Sequence, residues 1–194
     1  MAIMSVVMAV FTGGVLQMFG SSNTSESISI AQSQIAQAFQ RLDKEIRYAA
    51  GISTPCQPSG TACPVGIDAG GKKWACSGAA CVEYVTTVSG TLTCNQLRLD
   101  PLTSQLQHRF RAQGSSATPS TWLPLASSVT SSQPFTFVAA DDTLNFQRLQ
   151  IRLTAASGKG RDLSSSETNV TFTALNTTLT TVSGNACVEL RSIP

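Results

Sequence analysis

Six cysteines, a single histidine and two pairs of arginines are the residues of this 194-residue chain that bear most directly on chemistry. The cysteines stand at positions 56, 63, 76, 81, 94 and 187. Their spacing holds no tight Cys-x2-Cys pair, and the one histidine is remote from the first four, so a structural zinc site is not indicated. An even count beside an apolar N-terminal segment points to disulfides formed outside the cytoplasm. The pairing stays open: Cys56 with Cys63 and Cys76 with Cys81 are sterically feasible local closures, and Cys94 with Cys187 would tie the C-terminus to the sheet. His108 sits mid-strand between Gln107 and Arg109 and reads as an ordinary surface histidine, since a triad demands an aligned nucleophile and carboxylate. No nucleophile elbow, phosphate-cradling glycine loop or dinucleotide-binding turn is present. Asp141-Asp142 lacks the further spaced oxygens of a calcium loop and reads as a turn. The expectation is therefore no catalytic residue, no cofactor and no metal. Arg109 and Arg111 would share one strand face, as would Arg148 and Arg152. On neighbouring strands these four would line a stripe able to hold phosphates. Aromatic residues for base stacking are not interleaved with them, so a solvated sheet face is expected and nucleic acid is not favoured as a partner.

The elements that must carry these residues follow from composition and period. Charged residues make up 12 %, the net charge is +2, and Ser with Thr supply about a quarter of the chain, which suits exposed sheet surfaces. Residues 1–20 form an uncharged apolar run near the short end of the roughly 20 residues that span a bilayer. No Lys or Arg precedes Arg41, so the run lacks the charged start of a secretory signal peptide. It reads as a transmembrane helix, with Gly13-Gly14 as a local weak point. Over 21–50 a second helical stretch places Ile28, Ala31, Ile35, Ala38, Phe39, Leu42, Ile46 and Ala49 at spacings of three and four. That is one apolar stripe, for which the downstream strands are the natural partner. Gly51 reads as its stop.

Residues 51–194 read as a disulfide-braced β-rich head. The stretch between Cys56 and Cys81 reads as a loop rich in Gly, Pro and Ser. Alternation follows over 82–88 and 92–99, a hairpin around Ser89-Gly90, then over 106–112, 135–138, 149–153 and 170–175. Gly158-Lys159-Gly160 reads as a hairpin connection. The expected fold class is α+β: a long N-terminal helix packed on one antiparallel sheet, with the sheet's other face in water.

Two segments resemble the type IV pilin-like superfamily, and within it the minor pilins and J-type minor pseudopilins of type II secretion-like systems. Ala2-Ile3-Met4-Ser5-Val6-Val7 is similar to the later half of the prepilin hydrophobic segment. Ala36-Gln37-Ala38-Phe39-Gln40-Arg41-Leu42-Asp43-Lys44-Glu45-Ile46-Arg47-Tyr48-Ala49 resembles the family's second helical half. Phe172-Thr173-Ala174-Leu175-Asn176 is similar, more weakly, to its closing sheet. Family members carry a basic leader, a glycine, Phe-Thr-Leu and a glutamate ahead of this point. The chain starts partway into the segment, so the expected true start lies upstream of Met1 and no cleavage-site residue is assigned. The resemblance implies a structural subunit of a type IV pilus or pseudopilus that helps to start or cap the filament. It implies a single span in the cytoplasmic membrane with the head outside, and then a filament at the cell surface or in the envelope. Ile3, Val6, Val7, Val10, Phe11 and Leu16 would pack in the filament core, while Ile28, Ile35, Phe39, Leu42 and Ile46 would hold the head. Implied partners are other pilin or pseudopilin subunits, an assembly platform and a prepilin peptidase. A non-polymerising membrane-anchored binding protein or adhesin, and a DNA-uptake pilin, are the alternatives.

Overall fold

The apolar stripe of the helix determines where the strands lie. The computed structural model describes residues 2–56, 79–88, 90–115, 117–157, 164–182, 187 and 190. Helix α1 (Ala2–Arg47) is followed by β1 (Ala49–Ile52), β2 (Ala80–Val88), β3 (Thr91–Asp100), β4 (Gln105–Ala112) and β5 (Leu123–Ser127). Then come β6 (Val129–Thr130), β7 (Phe135–Val138), β8 (Gln147–Ser157) and β9 (Ser164–Ala174). Strands β1 to β5 form one antiparallel sheet in chain order. In the second sheet β8 pairs with β9 on one side and with β6 and β7 on the other, all antiparallel. Ile35, Leu42 and Ile46 of the helix are fully buried among Tyr84, Leu97 and Leu106 of the first sheet and Leu149, Ile151 and Leu153 of the second. Phe39 meets Phe172 of β9 edge to face, with centroids 5.7 Å apart.

Local chemistry explains the joints. Val88 pairs with Thr91, leaving a two-residue hairpin turn in which Gly90 takes φ +80°, the left-handed conformation glycine tolerates. After β3 the Asp100 carboxylate accepts the Leu102 N–H at 3.0 Å and the Thr103 hydroxyl at 2.9 Å, which closes the turn into β4. Asp141 does the same for the Thr143 and Leu144 N–H groups. The helix stops at Arg47, ahead of Gly51, because the next residues take β2 as partner (Ala49 opposite Thr86, Ile52 opposite Tyr84). Two carbonyls at this end find partners: Leu175 N–H donates to Arg47 O at 2.9 Å and Asn176 Nδ2 to Tyr48 O at 3.0 Å. Buried Gln147 pins the sheets together. It accepts the Ile52 N–H on Oε1 at 2.9 Å, donates from Nε2 to Thr181 O at 2.9 Å, and its own N–H reaches Thr177 Oγ1 at 2.8 Å.

Three expectations are corrected. The pilin-like α+β class, a helical stem on one sheet, gives way to a mainly antiparallel β architecture of two sheets. Although α1 is long, it joins this body only from Ile28 onward, because its buried stripe begins there. The first sheet is not wetted on its far face: Gln96, Gln107 and Arg109 there are buried, with Cys187 bonded to Cys94, Leu190 on Arg109 and Trp122 against Arg98 and Arg109. Among the described residues no helix is long and apolar enough to cross a membrane. The apolar run stops at Phe19 and is diluted by Ser5, Thr12, Gly13, Gly14 and Gln17. The single-pass anchor in the cytoplasmic membrane, and the localisation built on it, are withdrawn. Cys63, Cys76 and the connection at 158–160 lie outside the described residues.

Candidate functional site

The helix meets the first sheet through a polar cluster. Glu45 accepts the Tyr84 hydroxyl on Oε2 at 2.5 Å and Arg41 Nε on Oε1 at 2.9 Å. His108, only 1 % exposed, lies with Nδ1 3.2 Å from an Arg41 guanidinium nitrogen. Its Nε2 is 3.2 Å from Asn95 Oδ1 and 3.6 Å from Glu45 Oε2. Asn95 in turn donates to Thr86 Oγ1 at 2.9 Å. Burial pushes the His108 pKa down to about 4, with Arg41 acting in the same direction and Glu45 against it. Burial, and then the Glu45 carboxylate, raise the Tyr84 phenol well above its usual range. The surface histidine expected from the sequence is thus a buried one, because β4 turns position 108 toward the helix together with Leu106. With its imidazole sealed between Arg41, Glu45 and Asn95, this cluster ties α1 to the first sheet.

A pH dependence follows from it. A base whose folded pKa lies below its unfolded value binds fewer protons when folded, so stability rises with pH across that interval. Between pH 6.5 and about 4 the wild-type chain is expected to lose on the order of 3 kcal/mol to His108 alone. Urea unfolding of wild type and His108→Gln across this range measures it. The variant's profile should be flatter by about that amount, and parallel profiles would contradict the assignment.

The far face of the same sheet holds a second cluster. Arg109, 2 % exposed, donates Nε to Gln96 Oε1 at 2.7 Å and a terminal nitrogen to Leu190 O at 2.9 Å. Gln96 Nε2 donates to the buried Glu83 at 3.1 Å. The Arg98 and Arg109 guanidiniums both lie over the Trp122 ring, 3.9 and 4.3 Å from its centroid. Burial, with Arg98 nearby, lowers the Arg109 pKa to about 10 against the pull of Glu83. The proposed arginine stripe does not form. Arg109 and Arg111 are on β4 in one sheet, while Arg148 and Arg152 are on β8 in the other. Arg111 is hydrogen-bonded to the Ser115 carbonyl, Arg148 lies 3.6 Å from Asp141 and Arg152 lies 3.2 Å from Glu167. Cys94 and Cys187 are disulfide-bonded, and Cys56 and Cys81 are in disulfides as well.

No family model, curated protein or solved structure matches the chain. Function is therefore read from the surfaces themselves. Among the described residues no three metal-ligating side chains converge. The first half of α1 is another matter. Met4, Val7, Met8, Val10, Phe11 and Met18 are all exposed large apolar side chains, Phe11 at 69 % and Met18 at 78 %. Met4, Val7, Phe11 and Met18, with half-buried Val15, recur at spacings of three and four and so share one helix face. The side chains of Ile3, Val6 and Leu16 lie outside the described ones, whereas Val7, Val10 and Phe11 point into solvent. Ile35, Phe39, Leu42 and Ile46 are buried against the strands, and Ile28 is half-buried.

Proposed function

We propose that the chain is a non-enzymatic structural subunit that enters a helix-cored filament of the type IV pilus or pseudopilus kind, helping to start or cap it. The observation that carries this reading is the exposed apolar face at Met4, Val7, Phe11 and Met18, on a helix whose other end is fastened to a β body. Burying each such side chain is favourable by roughly 1.5–3 kcal/mol, and a neighbouring helix with a similar face supplies the burial by ridge-into-groove packing. The likeness of Ala36 to Ala49 to the family's helix adds support. Partners on this reading are other pilin or pseudopilin subunits, served by an assembly platform and a prepilin peptidase. The DNA-uptake reading loses its basis with the dispersal and pairing of the arginines.

The test is incorporation. Filaments sheared from cells that express the chain should contain it, and Phe11→Glu should remove it from them without shifting the thermal transition of the head. A chain absent from filaments, or a Phe11→Glu variant incorporated as well as wild type, would overturn the proposal in favour of a non-polymerising binding protein.

A further inference from the structure

Sheet edges are pairing templates, and proteins blunt them with proline, bulges, lysine or shortness. Most edges here are blunted. Strand β1 has four residues and a register shift, β5 carries Pro124 beside another shift, and β7 has four residues. Strand β9 is different. Its eleven residues pair with β8 in unbroken register and contain no proline, no lysine and one charge, Glu167.

The orientation of its free hydrogen-bonding groups follows from β8. Arg152 N–H donates to Pro134 O and Ala156 N–H to Ser128 O, so the even residues of β8 turn their backbone groups away from β9. In an antiparallel ladder the residues opposite them then direct their own groups to the open edge. These are Ser165, Glu167, Asn169, Thr171 and Thr173, of which the first four are exposed. Helix α1 meets this strand through the other set of residues: Gln32 Nε2 donates to Ser166 Oγ at 2.6 Å and Phe39 packs on Phe172, beside a groove of about 480 Å³ lined by Gln40, Lys44 and Val170.

We propose that β9 is a self-pairing edge, joining two copies of this chain antiparallel about a two-fold axis at Asn169. That register sets Asn169 against its own copy, Glu167 against Thr171 and Ser165 against Thr173, so all five open residues find partners. Glu167, the one charge, meets a threonine rather than a second glutamate and keeps its contact with Arg152. No other register centred on an outward-facing residue pairs all five. The inference does not rest on the filament reading. It does bear on it: a two-fold normal to the sheet reverses the in-plane direction of α1, so two paired copies cannot enter one parallel helix bundle together. Pairing is thus a state of the unassembled chain.

Sedimentation equilibrium of the full chain tests the pairing, with two variants. Asn169→Pro removes an outward N–H that β8 does not use, and proline is tolerated on edges. It should leave the fold intact by circular dichroism and convert the dimer to monomer. Asn169→Cys should yield a disulfide-linked dimer on oxidation, whereas Leu102→Cys, also exposed, should not. A wild-type chain monomeric at all concentrations, a dimer that survives Asn169→Pro, or equal cross-linking at positions 169 and 102 would each overturn the proposal. A dimer mediated by the apolar face of α1 would appear as the second of these.

Discussion

Removing the Cys94–Cys187 bond by the double change Cys94→Ala/Cys187→Ala is expected to cost about 2–5 kcal/mol of folding stability. The bond joins positions 93 residues apart in sequence, with Cα atoms 5.6 Å apart, so its loss frees a long loop in the unfolded chain. It also loosens the cover of the far sheet face, because Cys187 and Leu190 form a small buried cluster with Val85 and Cys94. Leu190 supplies the carbonyl that Arg109 uses. The stability change should therefore exceed that of an exposed cross-link, and Arg109 should gain solvent contact. For a chain of this size a thermal transition lowered by about 5–15 °C is expected. Equal transitions in the variant and the wild type would show that the cover holds without its bond.

Arg109→Met is the second large effect. The guanidinium is buried, and its removal takes one hydrogen bond from Gln96 Oε1 and a nearby positive charge from Glu83. Breaking a buried charge arrangement by deleting one partner costs about 3–5 kcal/mol, most of it the penalty of the charge left behind. The double variant Arg109→Met/Glu83→Gln removes that charge as well and should recover at least half of the loss. Chemical denaturation of the four proteins in the cycle measures the coupling. Additive losses would show that Glu83 and Arg109 do not sense each other through Gln96.

What the sequence displayed and what it hid can be traced to particular residues. The stripe Ile35, Phe39, Leu42 and Ile46 is strictly periodic and faces one continuous core, so its burial was legible. Strands β2, β3 and β4 alternate over eight or more residues, and their hairpin carries Gly90 where a positive φ is needed. Strands β1 and β5 are short and hold Gly51 and Pro124, and β6 has only two residues, so no period shows. Division into two sheets was hidden because alternation looks the same whichever sheet a strand joins. Arg109 was misplaced because polar residues at period two, Gln107, Arg109 and Arg111, read as solvated, and His108 because a lone polar residue masks its phase with Leu106. A signal was present in Cys94, which shares its face with Gln96 and Arg98: a cysteine bonded to a remote partner must draw chain across that face. The membrane span failed as an expectation because Ser5, Thr12, Gly13, Gly14 and Gln17 dilute a run that is already at the short end of the spanning length.

The measurement closest to the central claim is site-specific photo-cross-linking in filaments, with the reactive amino acid placed at Phe11 and, as a still more exposed control on the body, at Leu102. The account predicts adducts from position 11 to the helical segments of other subunits and few from position 102. Absence of adducts at position 11, or the same adducts from both positions, would contradict a helix-docking subunit.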